Sequence, residues 1–171
     1  YEGALTENAT LVKYSVLGCS RDRTEDYIKE MKECLEQTAR LEYKQLLEKS
    51  KIIWEQKWKD SDVLVEGCQK LQDSLRFSIY HLLRCGGKEE ERIQVCAKGF
   101  AGEAYYGRYF WDSEMYLLPF YLYTDPLSAK SLIGYRYWTL EGAKQNAQRY
   151  HCRGARYPWQ SGLTGTEQCS M

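Results

Sequence analysis

A continuous apolar run constrains the fold of this chain more than any other feature. Residues 115–123, MYLLPFYLY, are apolar or aromatic at every position. Together with the residues just before it, the run predicts a helix over residues 112–123 that is apolar on nearly all its faces. Such a helix is stable only where neighbouring elements cover it on every side. The run therefore predicts a buried helix inside a large protein.

Charged, helix-forming stretches occupy much of the remaining chain. Residues 22–62 lack Gly and Pro and carry apolar residues at helical spacing, which predicts one long helix, or two with a bend near residues 38–41. The amphipathic stretch at residues 69–87 ends in Gly-Gly and predicts a helix with a clear stop. Residues 127–150 predict a further amphipathic helix, whose inner face holds Leu132, Tyr135, Leu140 and Ala143.

One segment near the start predicts a β-strand instead. Residues 10–17, TLVKYSVL, are rich in β-branched and aromatic side chains, and turn-forming residues follow them. Because a strand is not stable without a partner, we expect its partners to lie upstream of this chain. The chain also begins at Tyr1 rather than Met. Both features predict that the chain is a piece of a longer protein.

Charge and cysteine content exclude several classes of partner. The 24 basic and 24 acidic residues cancel, so we expect no binding to nucleic acid or to an anionic membrane. No apolar run reaches the roughly 20 residues of a membrane span. The seven cysteines form no C-x-x-C pair and there are two histidines, so we expect no metal site. Reduced, buried thiols in a cytoplasmic protein are expected, and a secreted protein with disulfides is the alternative.

Two loops combine a tryptophan with a polar side chain that can bind a sugar. Trp111 and Asp112 lie where a glycine-bearing loop meets the apolar helix. An indole stacks on the C–H face of a pyranose while a neighbouring carboxylate accepts hydroxyl protons. Alternatively, Asp112 is the helix N-cap. Trp159 and Gln160 repeat the combination in YPWQS, where the alternative is a tryptophan packed into its loop.

Three blocks of the sequence resemble glycoside hydrolase family 65. They are AKGFAGEAYYGRYFWDSEMYLLPFYLYTDP, YRYWTLEGAKQNA and GARYPWQSGLTGTEQC. The spacing W-x-x-x-W-x-x-x-D at Trp54, Trp58 and Asp62 is similar to the linker of that family. The family contains maltose, trehalose and kojibiose phosphorylases and some α-glucoside hydrolases.

The resemblance implies a mainly α fold: a partial (α/α)6 barrel preceded by a helical linker and the last strand of a β-sandwich. Residues 1–21 would end the N-terminal β-sandwich domain, and residues 22–64 would form the linker. Residues 65–171 would be the N-terminal part of the barrel catalytic domain, truncated at Met171.

The resemblance also implies a function, that of a fragment of an inverting disaccharide phosphorylase acting on α-glucosidic disaccharides. In such enzymes a Glu acts as general acid and phosphate attacks the anomeric carbon, which releases β-glucose 1-phosphate. The acid would lie beyond Met171, because neither Glu103 nor Glu114 matches it. We therefore expect no catalytic residue in this chain and no activity from it alone. Inorganic phosphate would be the co-substrate, without a cofactor.

The glucose subsite implied by the resemblance includes Trp111, Asp112 and Trp159. Gln160 takes the fourth position, where we expect Glu in many members, and Arg108 takes a position where we expect His. The expected partner is a disaccharide substrate, and the resemblance admits a homodimer of the full-length protein. The alternatives are an α-glucoside hydrolase of the same family and a non-catalytic helical interaction domain.

Overall fold

The computed structural model describes residues 11–18, 26–88, 90–99 and 104–169. Within these residues the chain forms six α-helices and no β-strand, so the mainly α prediction is confirmed. None of these helices has the length and apolar content needed to cross a membrane. The helices are α1 (Tyr27–Ala39), α2 (Tyr43–Lys59), α3 (Gln69–Leu83), α4 (Leu118–Thr124), α5 (Pro126–Trp138) and α6 (Leu140–Arg149).

The chain divides into two compact units, Tyr1–Glu55 and Gln56–Met171. In the first unit, α1 ends at Ala39 and α2 begins at Tyr43, so the two-helix alternative with a bend near residues 38–41 is confirmed. Residues 11–18, which include most of the expected strand, have irregular backbone. A strand is defined by pairing, and the described part of the chain contains no second strand. The strand therefore stays a prediction.

In the second unit, polar contacts tie α3 to the extended segment before it. Arg76 of α3 donates two hydrogen bonds to the Asp62 carboxylate, at 3.0 and 2.5 Å. The hydrogen bond from Arg76 holds the pKa of Asp62 below its ordinary value. The buried Gln72 accepts a hydrogen bond from Val65 N–H (2.7 Å) and donates one to the Val63 carbonyl (3.0 Å). These contacts hold the extended segment against α3, although most of its side chains are exposed.

The core of this unit lies between α4 and α5. Tyr121, Ala129 and Leu132 form a buried cluster, and the Tyr121 hydroxyl donates to the Leu82 carbonyl at 2.7 Å. Burial raises the pKa of Tyr121. The predicted helix over residues 112–123 starts with a π-helical turn at Ser113–Leu117 and continues as α4. Only part of the apolar run is buried, because its outer face has no covering element in the described residues.

The single helix expected over residues 127–150 is wrong, because α5 and α6 are separate helices that meet at Thr139. The Thr139 hydroxyl donates to the Tyr135 carbonyl at 2.8 Å. A threonine that bonds back to the preceding turn favours a bend or an end in a helix. The expected inner face is otherwise confirmed for Leu132, Tyr135 and Ala143, which are buried.

The expectation of buried thiols is wrong for most of the cysteines that the structure describes. All six of these are free, but only Cys85 and Cys96 are partly buried. The others lie on a helix surface or in loops that pack little apolar area: Cys34, Cys68, Cys152 and Cys169. Cys19 lies outside the described residues.

Candidate functional site

A two-residue bridge joins the two tryptophan-bearing loops. Tyr109 N–H donates to the Ser161 carbonyl and Ser161 N–H donates to the Tyr109 carbonyl, both at 2.9 Å. The hydroxyl of the fully buried Tyr135 of α5 lies 3.0 Å from Ser161 Oγ and also within hydrogen-bond distance of the Gly162 carbonyl, and its single hydrogen is donated to one of these two oxygens. Burial raises the pKa of Tyr135, so its hydroxyl stays a donor. The bridge therefore rests on the helical core.

The bridge brings three aromatic rings into contact. The Trp111 and Trp159 rings are 5.7 Å apart at 77°, and the Phe110 and Trp159 rings are 5.9 Å apart at 80°. These are favourable edge-to-face arrangements. Phe110 is buried, whereas Trp111 and Trp159 remain 43% and 49% exposed. Trp159 thus packs against its neighbours, as the alternative expected, and also keeps half of its surface open to a ligand.

A cleft of about 320 Å³ lies beside these rings. This volume is at the small end of ligand-binding sites. Asp112, Trp159 and Gln160 all line the cleft, and Trp111 contacts Trp159 at its edge, so the structure brings the four predicted residues together. The rest of the lining comes from Ala97, Lys98, Tyr105 and Phe110.

Asp112 does not cap the helix that follows it. Its backbone is already helical (φ −52°, ψ −33°), and its side chain makes no capping hydrogen bond. An N-cap residue normally has non-helical dihedrals, which turn its side chain back toward the first N–H groups. The N-cap interpretation is therefore wrong. Within the described residues the carboxylate has no hydrogen bond or ion pair, so its acceptor sites remain available to a ligand.

Glu114, two residues later, is already occupied by protein groups. Arg136 of α5 pairs with it through Nε (2.6 Å) and Nη2 (2.8 Å), and Gln94 donates to it at 2.8 Å. The two charged side chains are only 13% and 24% exposed. Arg136 also donates to the Phe110 carbonyl at 3.2 Å. Glu114 therefore anchors the start of the helix that follows the loop.

Sequence reasoning missed Glu167, which holds the second loop in place. Its carboxylate accepts hydrogen bonds from the backbone N–H groups of Trp159 (2.8 Å), Gln160 (3.0 Å) and Cys169 (3.1 Å). Partial burial raises the pKa of Glu167, but the backbone donors, Gln160 first, outweigh it and leave the pKa below its ordinary value. The buried Asn146 of α6 accepts from Glu167 N–H at 3.1 Å. A single acid in a Gly/Thr loop gave no signal of this role.

The sequence also did not predict the contacts of Arg108. Its Nη1 donates to Gln160 Oε1 at 2.7 Å and to the Gln168 carbonyl at 2.9 Å. The guanidinium lies 5.5 Å from the centre of the Tyr106 ring, which is a cation–π distance. The two residues that depart from the expected family pattern, Arg108 and Gln160, are thus direct partners.

Comparisons with known proteins agree on one family. The model described as glycosyl hydrolase family 65 central catalytic domain matches residues 76–171. A nigerose phosphorylase from Lachnoclostridium phytofermentans is 37% identical over 170 residues, which cover 99% of this chain and 22% of that protein. A kojibiose phosphorylase from Halothermothrix orenii is 41% identical over 125 residues, which cover 73% of this chain and 16% of that protein. The chain spans about a fifth of the length of the curated relatives it matches.

A solved structure supports the same assignment. A protein named as a kojibiose phosphorylase from human microbiome matches with a TM-score of 0.80 and 31% identity, over 86% of this chain and 20% of that protein. The predicted fold class is confirmed: the chain is mainly α-helical and includes part of an (α/α)6 barrel. The domain boundaries at residues 21 and 64 stay predictions. Because the family model covers more than half of the 171 residues, the chain belongs to glycosyl hydrolase family 65.

Proposed function

We propose that this chain is part of an inverting disaccharide phosphorylase and contributes the site for the glucose unit of an α-glucosidic disaccharide. One observation carries the proposal. A single small cleft is bounded by a carboxylate without a partner in the described residues, Asp112, and by a half-open indole, Trp159. Relatives named as nigerose and kojibiose phosphorylases support a disaccharide as substrate.

Each residue has a distinct part in the proposed binding. Asp112 accepts protons from sugar hydroxyls in charge-assisted hydrogen bonds. Trp159, with Trp111 at its edge, covers a C–H face of the ring. Gln160 lines the same cleft and adds a neutral hydrogen-bonding group. These contacts hold the glucose unit but do not break a bond, so the chain supplies binding rather than chemistry.

In the proposed reaction, inorganic phosphate attacks the anomeric carbon from the face opposite the departing sugar. A general acid protonates the glycosidic oxygen at the same time, and the products are β-glucose 1-phosphate and the free second sugar. Neither the acid nor the phosphate-binding group is among the residues assigned here. We therefore expect no turnover from the 171-residue chain alone.

The test uses the full-length protein that carries this chain. It is incubated with α-linked glucose disaccharides, with and without phosphate, and glucose 1-phosphate and free glucose are measured. Release of glucose 1-phosphate only in the presence of phosphate is the expected result. Phosphate-independent release of glucose would instead establish the hydrolase alternative. No turnover of any disaccharide would contradict the proposal and favour an interaction domain.

A further inference from the structure

The contact between Arg108 and Gln160 fixes the direction of an amide. Arg108 Nη1 lies 2.7 Å from Gln160 Oε1. A guanidinium carries only N–H donors, so the amide atom that faces it must be the oxygen. The amide nitrogen, Nε2, then occupies the other end of the group. It has no acceptor within the described residues, and Gln160 lines the cleft.

The backbone around Gln160 is held independently of its side chain. Gln160 N–H donates to Glu167 Oε1 at 3.0 Å, and Gln168 N–H donates to the Gln160 carbonyl at 2.9 Å. With the main chain fixed, the remaining freedom is rotation of the amide. An amide has an acceptor end and a donor end of similar shape, so sterics alone do not choose between them. Arg108 makes this choice through charge.

We propose that Arg108 is a positioning residue that turns Gln160 into a hydrogen-bond donor toward the bound sugar. The inference rests on the proposed function of the cleft. The site then pairs one acceptor, Asp112, with one donor, Gln160. The matching ligand is an uncharged sugar that offers a hydroxyl hydrogen to Asp112 and a hydroxyl, ring or glycosidic oxygen to Gln160. A glutamate at position 160 would only accept, and would therefore select a different arrangement of sugar hydroxyls.

A double-mutant cycle on the full-length protein tests the coupling. The four forms are the wild type, Arg108→Met, Gln160→Ala and the double variant, and KM and kcat are measured for the disaccharide that the wild type uses. We expect Arg108→Met to raise KM about fivefold when Gln160 is present and less than about twofold in the Gln160→Ala background. Arg108→Lys keeps a donor for the amide oxygen and should recover part of the loss.

Lys98→Met is the matched control. Lys98 lines the same cleft, and its ammonium lies 5.9 Å from the centre of the Tyr105 ring rather than on Gln160. This variant removes the same charge as Arg108→Met but leaves the amide contact intact. Its effect on KM should be the same in both backgrounds. If Arg108→Met behaves in this additive way too, Arg108 acts through its charge or through Gln168, and the positioning role is overturned.

Gln160→Glu provides a second test that does not remove packing. Arg108 can pair with the new carboxylate, so the fold should be retained, which thermal unfolding would check. The donor is lost, and we expect KM to rise while kcat changes less. An unchanged KM would overturn the donor role.

If the wild type converts no disaccharide, the proposed function fails and this inference fails with it. If the wild type is active but the cycle is additive, only the inference fails.

Discussion

The surroundings of Asp112 favour a binding role for its side chain over a structural one. The carboxylate stands next to an aromatic wall and has no protein partner in the described part of the chain. Asp112 is exposed, so water solvates its carboxylate until a ligand binds. If Asp112 capped the helix, backbone N–H groups would occupy the acceptor sites of its carboxylate. Because the carboxylate does not cap the helix, its acceptor sites are available to a polar ligand at this position.

Replacing Asp112 by Asn therefore tests the binding role with little change in shape. A hydrogen bond to a charged group contributes about 1.5–3 kcal/mol, so we expect kcat/KM of the full-length protein to fall by roughly 10- to 100-fold. Steady-state kinetics with the preferred disaccharide would measure this loss. Unchanged kinetics in a normally folded variant would mean that Asp112 does not contact the substrate.

Glu167 leads to a prediction about stability and pH. The pKa of Glu167 is lowered in the folded protein. The ionised carboxylate therefore stabilises the fold fully above its ordinary pKa of about 4.5, and this stabilisation is lost as pH falls through the lower pKa of the folded state. Glu167→Gln should lower the free energy of unfolding at pH 7 by about 1 kcal/mol, allowing for partial exposure. Thermal unfolding of both proteins from pH 7 to pH 3 should show the difference shrinking in acid.

The matched control for this measurement is Glu141→Gln on the surface of α6. Glu141 is exposed, and among the residues that the structure describes it pairs with Lys144 alone, at 3.4 Å. Such pairs contribute little, so this variant should follow the wild type at every pH. A Glu167 difference that persisted unchanged at pH 3 would contradict the role of its ionised carboxylate.

At the scale of elements, sequence periodicity found most helices because their buried faces repeat at helical spacing. It predicted α3, and it gave the break between α1 and α2 as one of two alternatives. It missed the division at Thr139, where a single hydroxyl bonds back to Tyr135. It also gave no sign of the left-handed backbone at Tyr105 (φ 65°) and Tyr106 (φ 55°). Bulky residues seldom adopt that conformation, so the residue types at these two positions do not predict it.

The sequence likewise predicted the residues of the candidate site but not the contacts that organise them. Trp111, Asp112, Trp159 and Gln160 were found because their residue types and motifs suit a sugar. The contacts that organise them, from Glu167 and between Arg108 and Gln160, depend on the approach of two loops that are distant in sequence. No local pattern encodes that approach, because the bridge between the loops uses backbone groups.

The packing of α6 against the second loop gives a prediction at the element scale. A Cβ added at Gly142 would lie 2.1 Å from the Thr164 carbonyl oxygen, so the loop would have to move. We expect Gly142→Ala to cost about 1–3 kcal/mol of unfolding free energy. It should also raise KM, because the loop carries the Glu167 contacts to Trp159 and Gln160.

Thermal unfolding and kinetics of the full-length variant would measure both effects. Gly87→Ala is the control, because a Cβ there meets nothing within 4 Å. Its stability and KM should stay close to those of the wild type. A Gly142→Ala protein with wild-type stability and KM would show that the loop tolerates displacement.

For the molecule as a whole, the outer face of the apolar run predicts how the isolated chain behaves. Tyr116 and Tyr123 are 69% and 88% exposed, and Met115 and Leu122 are exposed beside them. Apolar surface of this kind promotes association unless other elements cover it. We expect the 171-residue chain alone to bind a hydrophobic dye and to aggregate, and the full-length protein to do neither. Cooperative unfolding of the isolated chain without dye binding would instead favour a self-contained interaction domain.

The Tyr109–Ser161 bridge has a consequence for the order of folding. It closes a loop between residues 52 positions apart, and the entropy of closing such a loop must be overcome before its two hydrogen bonds form. The helices α4, α5 and α6 lie inside this loop, so their folding shortens the distance that remains to be closed. A sugar held by both ends would bind only the closed form and shift the equilibrium toward it by mass action. The substrate would then act as a non-covalent cross-link that completes the tertiary structure.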